Sequence, residues 1–326
     1  MPMSRPMESN LEPANPSLQE ANSVSIYEPE KPRQDDAPAW IIPFPRSQAG
    51  PMDAPAITLP PEHERAMWKL FRDFFDLAEK KRRWNLVDDI PWAECNPGLK
   101  PVVADIVETF CAVELFLPDY SSKILPKVRH SKSRTWFYAN WGYEEAKHSL
   151  ALNDWLLKSG SRSEEYMADM EGKVFAREWN LPHDDHLGML VYSMVQEEAT
   201  FLNYRNLRSR VGELGGDPAL EKLLNYLAVD EKAHHRFFRD CLRIYLEYDR
   251  NAVIEQLKRV MHDFNMPAIN DLLDESQTRL AAIRELDLFS PDIYYREVYL
   301  PVLSSLGVTR QEMRSPLKEK KSQRAD

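Results

Sequence analysis

Two copies of Glu-x-x-His stand out in the chain, Glu145-Ala-Lys-His148 and Glu231-Lys-Ala-His234. A further glutamate precedes each on an apolar stretch: Glu114 lies 31 residues before Glu145, and Glu197 lies 34 before Glu231. The order is Glu, then Glu-x-x-His, and the same again. Four glutamates and two histidines on four helices form the ligand set of a carboxylate-bridged di-iron site inside a helix bundle. The chemistry expected of such a set is redox work with oxygen.

Helical stepping by three and four places each of these residues on an apolar face. His148 lies with Tyr138, Trp141, Glu145, Leu152 and Trp155, and His234 with Leu223, Leu227, Glu231, Phe238 and Tyr245. Glu197 shares its face with Leu190, Met194, Thr200, Phe201 and Tyr204, and Glu114 shares its own with Val103, Val107, Phe110 and Leu117. No Lys or Arg sits on these faces. Burying one uncompensated ion costs several kcal/mol, and four carboxylates together also repel one another. Two divalent cations cancel four carboxylate charges. Oxygen-rich ligation with one imidazole per metal suits iron or manganese better than zinc or copper, and open, carboxylate-rich iron activates oxygen. Two iron ions are therefore the expected cofactor.

These residues need helices to hold them, and the chain supplies helices. Only 10 of 326 residues are glycine, and no stretch alternates apolar and polar residues over a strand's length. The expected helices are 61–83, 98–117, 133–158, 183–212, 217–248, 251–261, 267–286 and 291–304. Asp217-Pro218 after Gly215-Gly216 reads as a helix start, with Asp as N-cap and Pro in the first turn. The fold class is all-α, a four-helix bundle with additional helices. Of the 24 prolines, 13 precede residue 62, so residues 1–59 read as a mostly disordered tail, with the apolar segment 39–45 able to dock on the body. The catalytic domain is expected over 60–308, and 309–326 read as a loose polar tail with a basic excess.

The net charge of −10 disfavours nucleic acid as a partner. Apolar stretches are short and interrupted by charge, so no membrane span is expected. Three scattered cysteines, Cys95, Cys111 and Cys241, make neither a disulfide framework nor a zinc cluster, and no signal or transit peptide is evident. The expected location is the cytoplasm.

The flanks of the ligands carry a more specific signal. Glu114-Leu-Phe-Leu-Pro-Asp-Tyr120, Trp141-Gly-Tyr-Glu-Glu-Ala-Lys-His148, Gln196-Glu-Glu-Ala-Thr-Phe201 and Asp230-Glu-Lys-Ala-His234 resemble the corresponding segments of the soluble acyl-acyl-carrier-protein desaturases, the plant stearoyl-carrier-protein desaturase family. The resemblance runs from about Trp68 to about residue 300. It implies a ferritin-like fold with iron ligands Glu114, Glu145, His148, Glu197, Glu231 and His234. By the same resemblance Glu145 and Glu231 bridge the irons, and each histidine serves one. Thr200 matches the family's active-site threonine. Asp230 matches an aspartate behind a ligand histidine and Trp84 a tryptophan on the first bundle helix, together implying an electron route to iron. A ligating His usually gives its other N–H to such a carboxylate. Two positions depart from the plant pattern: Tyr204 replaces a histidine near the site, and Glu198 replaces a basic residue.

The resemblance implies an O2-dependent enzyme of fatty acid biosynthesis. It would place a cis double bond in a saturated acyl chain on acyl-carrier protein, take electrons from ferredoxin, and work as a homodimer. Phe110, Tyr138, Trp141, Met194 and Phe201 are candidates for an acyl tunnel or for core. Lys80-Lys81-Arg82-Arg83, or Lys123, Lys127, Arg129, Lys132 and Arg134, could receive an acidic carrier. The same ligands would serve a hydroxylating oxygenase, or a ferritin-like iron-storage protein. A ribonucleotide reductase small subunit is disfavoured because Leu152 stands where that family keeps its radical tyrosine. His183-Asp-Asp-His186 reads as a helix start beside Pro182, explained by capping and exposure.

Overall fold

The computed structural model describes residues 59–183, 185–262, 264 and 274–315. The expected tail at 1–58 with its apolar segment 39–45, and residues 316–326, lie outside them. Described residues contain helices and no strand. None of these helices is long and apolar enough to cross a membrane. None of the three cysteines is paired.

The architecture is a ferritin-like bundle of α2 (Pro101–Glu114), α4 (Lys132–Lys158), α6 (His186–Glu213) and α7 (Pro218–His262). α2 pairs with α4, and α6 with α7. α1 (Pro61–Lys81) packs across α4 and α7, while α3 (Leu117–Val128) lies against α4. α5 (Glu164–Phe175) and α8 (Ser276–Glu285) brace α2. The chain closes with α9 (Pro291–Ile293), wide π-type turns at Tyr294–Tyr299, α10 (Leu300–Leu306) and α11 (Arg310–Arg314).

Local chemistry explains the boundaries. Pro61, Pro101 and Pro118 sit in the first turns of α1, α2 and α3, where a missing N–H costs nothing. Asp185 caps α6 by accepting from Gly188 N–H at 2.8 Å. The Gly215-Gly216 pair, at φ +117° and +78°, turns the chain between α6 and α7. Asp217 then caps α7: Oδ1 accepts from Leu220 N–H at 2.7 Å, and Oδ2 accepts from Asn96 N–H and Trp155 Nε1. Asp249, at φ −145° and ψ 85°, breaks α7 where the sequence places a boundary. Its carboxylate restarts the helix by accepting from Ala252 N–H.

Four expectations change. The single helix over 98–117 ends at Glu114, and a separate α3 follows because Pro118 can open a helix but not continue one. α5, capped by Ser163, was not expected. Residues 309–315 are not loose: Thr309 and Glu312 form a capping box, Met313 is buried, and Arg250 pairs with Glu312. His186 is also buried rather than exposed, although Asp185 beside it caps as anticipated.

Asp217 joins one N-cap bond to two tertiary bonds at a fully buried position. Asp217→Ala should therefore cost about 2–4 kcal/mol of stability. Denaturant unfolding measures this, and a loss below about 1 kcal/mol would contradict the tie.

Candidate metal centre

Glu114 comes from the last turn of α2, Glu145 and His148 from mid-α4, Glu197 from α6, and Glu231 and His234 from α7. All six are buried. They form two overlapping groups, Glu114–Glu145–His148–Glu231 and Glu145–Glu197–Glu231–His234, each with its candidate donor atoms within 4.8 Å of one another. Glu145 and Glu231 belong to both groups. Each histidine turns Nδ1 inward. His148 Nδ1 lies 3.4 Å from Glu145 and 3.3 Å from Glu231. His234 Nδ1 lies 3.0 Å from Glu145, 3.2 Å from Glu231 and 3.4 Å from Glu197.

The donor set fits two metals. Glu145 Oε1 and His148 Nδ1 are buried with no hydrogen-bond partner. Without metal, protons must balance the charge. Burial, with the charges of Glu145 and Glu231, pushes the Glu114 carboxyl well above its usual range. Burial and Glu231 do the same to Glu197. Burial would depress both imidazoles, but the surrounding carboxylates outweigh it and hold His148 and His234 well above the ordinary histidine range. Burial would raise Glu231, yet the neighbouring Glu197 carboxyl and the His148 and His234 rings hold it low. Protons on Glu114, Glu197 and both rings thus occupy the place of two divalent cations.

Behind each histidine stands a carboxylate from the facing ligand helix. His148 Nε2 lies 3.3 Å from Asp230 on α7, and His234 Nε2 lies 2.6 Å from Glu144 on α4. Both acids directly precede a ligand glutamate, so Glu144-Glu145 and Asp230-Glu231 repeat one device. Asp230 and Trp84 meet as the resemblance implied: Trp84 Nε1 donates to Asp230 Oδ2 at 2.8 Å. Trp84 lies just beyond α1 rather than on it. Glu144 was not singled out from sequence, although its place beside Glu145, mirroring Asp230 beside Glu231, is a signal that could have found it.

Arg82 joins the two sides. It donates to both oxygens of Glu144 at 3.0 Å and to Asp230 Oδ1 at 2.5 Å, and its side chain is only 9% exposed. Burial would raise Glu144, but His234 and Arg82 hold it far below the usual carboxylate range. Burial likewise opposes ionisation of Asp230, and His148 with Arg82 prevails. Arg83 adds a bond to Glu144 and one to Asn140 at 2.8 Å. The run Lys80–Arg83 is therefore half consumed inside the protein. The second basic stretch is depleted too. Arg134 is buried against Tyr245 and Glu64, Lys123 pairs with Glu178, and Lys132 stacks over Trp68.

Tyr204 is buried and donates to Glu114 Oε1 at 2.8 Å, so this departure from the plant pattern touches the site directly. Thr200 lies half-buried on α6, one turn past Glu197. Of the tunnel-or-core candidates, Tyr138, Trp141 and Met194 are buried core. Phe110 stacks edge-on to Tyr204 at 5.2 Å and also lines an apolar cavity of about 570 Å3, with Val113, Asn203, Leu280, Ile283 and Tyr294. Phe201 lines a different, basic groove between α6 and α7.

Four likenesses to known families and proteins agree with this geometry. A family profile described as fatty acid desaturase matches residues 106–309. A Mycobacterium tuberculosis protein assigned as acyl-carrier-protein desaturase DesA1 is 22% identical over 249 residues, covering 70% of this chain and 72% of that protein. Stearoyl-acyl-carrier-protein 9-desaturase 6 of Arabidopsis thaliana is 30% identical over 132 residues, 39% of this chain and 33% of its own. The crystal structure assigned as acyl-carrier-protein desaturase DesA2 of M. tuberculosis superposes with a TM-score of 0.60 at 15% identity. It covers 77% of this chain and 97% of that one, which establishes the shared fold.

Two outcomes follow from the charge arrangement. The metal-free fold gains stability from protonation wherever a folded pKa exceeds its ordinary value of 4.5 for Glu114 or 6.5 for His148. That gain is lost as pH rises through the raised folded pKa values. The melting temperature of metal-free protein should fall between pH 6 and 8.5, and iron(II) should flatten the fall; a metal-free curve that rises over this range contradicts the assignment. Asp230→Ala and Glu144→Ala should each weaken metal affinity about 10–100-fold, while Arg82→Ala should weaken both metals. Titration of metal by calorimetry separates these, and an Arg82 variant that loads both metals with native affinity would contradict the shared role.

Proposed function

The chain belongs to the fatty acid desaturase family, and from that premise we propose that it is an O2-dependent acyl-carrier-protein desaturase holding two irons. The observation that carries the reading is a two-group carboxylate–histidine cluster beside an apolar cavity. Phe110 forms part of the cavity wall and touches Tyr204, which is bonded to the cluster's Glu114. The volume of about 570 Å3 falls in the range of small-molecule sites. Two irons, when bound, would supply the reduction of O2 and the removal of two hydrogens from adjacent carbons of an unactivated chain.

The residues of the chain do the rest. Glu145 and Glu231 would serve both metals, with Glu114 and His148 completing one site and Glu197 and His234 the other. Phe110, Val113, Leu280 and Ile283 exclude water and hold the acyl chain against the α2 side of the cluster. The Thr200 hydroxyl is a proton donor one helical turn from Glu197. The Tyr204 hydroxyl donates to one oxygen of Glu114, and the other would be free to hold metal.

Electrons must be supplied from outside. Trp84 is only 6% exposed, so the route from Asp230 needs one more step outward. The half-buried Tyr226 stacks on Trp84 with centroids 5.3 Å apart and planes 1° from parallel. Ferredoxin or a similar one-electron donor is the partner that this route suits. For the acidic carrier, the best remaining basic face is the groove of about 610 Å3 between α6 and α7. It gathers Arg205, Arg208, Lys232 and Arg236 with Glu221; Lys232 also pairs with Glu198 and Arg205 with Glu297. Raising salt should weaken carrier binding there.

The test is anaerobic loading with iron(II), then one turnover with stearoyl-carrier protein, reduced ferredoxin and O2, with products read by mass spectrometry. A monounsaturated product is expected. A hydroxylated product would make the protein an oxygenase, and iron oxidation without acyl turnover would make it ferritin-like. Trp84→Phe, which removes the N–H donated to Asp230, should keep two irons per chain and slow their reduction by ferredoxin at least tenfold; unchanged reduction would remove Trp84 from the route.

A further inference from the structure

Lys147 is a buried charge that the metal cluster does not use. It sits on α4 between Glu145 and His148 in sequence and is only 7% exposed. A lysine is almost never buried unless it is paired. Among the described residues Lys147 has no ion-pair partner, and Asp230 and Glu144 act on it only from beyond that range. Its hydrogen bond is a long one, from Nζ to the Trp84 carbonyl at 3.3 Å. The ammonium faces rings instead: Nζ lies 4.0 Å from the centre of the Trp84 indole and 5.6 Å from that of Tyr143. The next ring outward repeats the arrangement. Tyr226, which stacks on Trp84, has the Lys222 ammonium 5.0 Å from its centre. Trp155 supplies the contrast. Its Nε1 donates to the Asp217 carboxylate at 3.1 Å, as Trp84 does to Asp230 at 2.8 Å, but among the described residues no cation lies over its ring.

We propose that Lys147 keeps Trp84 reduced: its ammonium lets electrons pass inward to the cluster but opposes oxidation of the indole by the cluster. The inference rests on the reading of the cluster as an iron site that reacts with O2. Such a site holds a strong oxidant between the arrival of O2 and the attack on substrate, and the bonds that bring electrons in lead back to an indole. In the step that Lys147 opposes, Trp84 gives one electron to that oxidant and becomes a radical cation. The N–H proton stays in the bond to Asp230, so no proton moves and the oxidant is spent by one electron. The Asp230 carboxylate, held against the N–H, favours the positive ring. Lys147 opposes it, because a ring that turns positive 4.0 Å from an ammonium loses the cation–π attraction and meets charge repulsion in its place. An electron travelling inward leaves no positive charge on the ring, so the same ammonium does not slow it. Lys222 extends the protection to Tyr226, the half-buried ring through which the lost electron would be drawn from the surface.

Two oxidants applied to the full-length protein test this, with oxidation of each tryptophan counted by peptide mass spectrometry. The first is O2 itself, cycled with a chemical reductant over iron(II)-loaded protein without acyl substrate. The second is the azide radical, generated by radiolysis, which takes one electron from indoles and needs no iron. Under both, Lys147→Met should raise Trp84 oxidation at least tenfold over wild type. Lys147→Arg, which returns a cation to the ring, should not. Equal Trp84 oxidation by azide radicals in wild type and Lys147→Met, or a Lys147→Arg variant oxidised like Lys147→Met, overturns the proposal. If Lys147→Met folds poorly, the wild type alone decides: Trp84 should resist azide radicals better than Trp155, although it is the more exposed of the two at 6% against 0%. Trp84 oxidised as readily as Trp155 then contradicts the guard. If Trp84 stays intact in every variant over iron and O2 while azide radicals rank the variants as expected, the guard stands and the oxygen-using reading of the cluster fails.

Discussion

Four carboxylates and two imidazoles that repel or strand one another are buried in one place, and much of the structure follows from that. Glu114, Glu145, Glu197 and Glu231 leave water together, faced from within by His148, His234 and the Tyr204 hydroxyl. The interior cannot tolerate such a set as bare ions. It must be balanced by protons or by metal, and the donor set fits two metals. The shared carboxylates Glu145 and Glu231 stand between the two groups, and both rings present Nδ1 to the centre.

A second requirement follows from the first. An imidazole that offers Nδ1 to a metal must do something with Nε2. The fold answers with the acid that precedes each ligand glutamate, reaching across to the opposite histidine. One cation, Arg82, then binds both acids. α1 lies outside the cluster, yet its C-cap residue Arg82 fixes the acids behind both histidines, and Phe74 of α1 packs against His234 with ring centroids 6.3 Å apart. The bundle is thus locked from its periphery inward, and the aromatic stack of Phe137 on Phe237 fills the space between α4 and α7.

The cluster and the bundle were legible in the sequence because helical periodicity converts spacing directly into placement. A Glu-x-x-His pair has one geometry on a helix, and an apolar face has one direction. The start of α7 at Asp217 and its break at Asp249 were legible for a similar reason, since caps and turns are local chemistry. What lay beyond the sequence was tertiary. The run Lys80–Arg83 reads as a basic surface until α1 is packed, and only then does Arg82 turn inward to two acids far along the chain. Arg134 misleads in the same way. α3 and α5 escaped because they are short, and α3 carries two prolines, Pro118 and Pro126, that read as breakers. Tyr204 was visible as a departure from the plant pattern, but its bond to Glu114 depends on how α6 sits against α2.

The central claim is that this cluster holds two metals between shared carboxylates. Anomalous diffraction from crystals of iron-loaded protein, measured on either side of the iron edge, tests it most directly. The account predicts two iron peaks about 3.5–4 Å apart. Glu145 and Glu231 should touch both, Glu114 and His148 one, and Glu197 and His234 the other. A single peak, or six side chains paired only with one another at full iron loading, would contradict it.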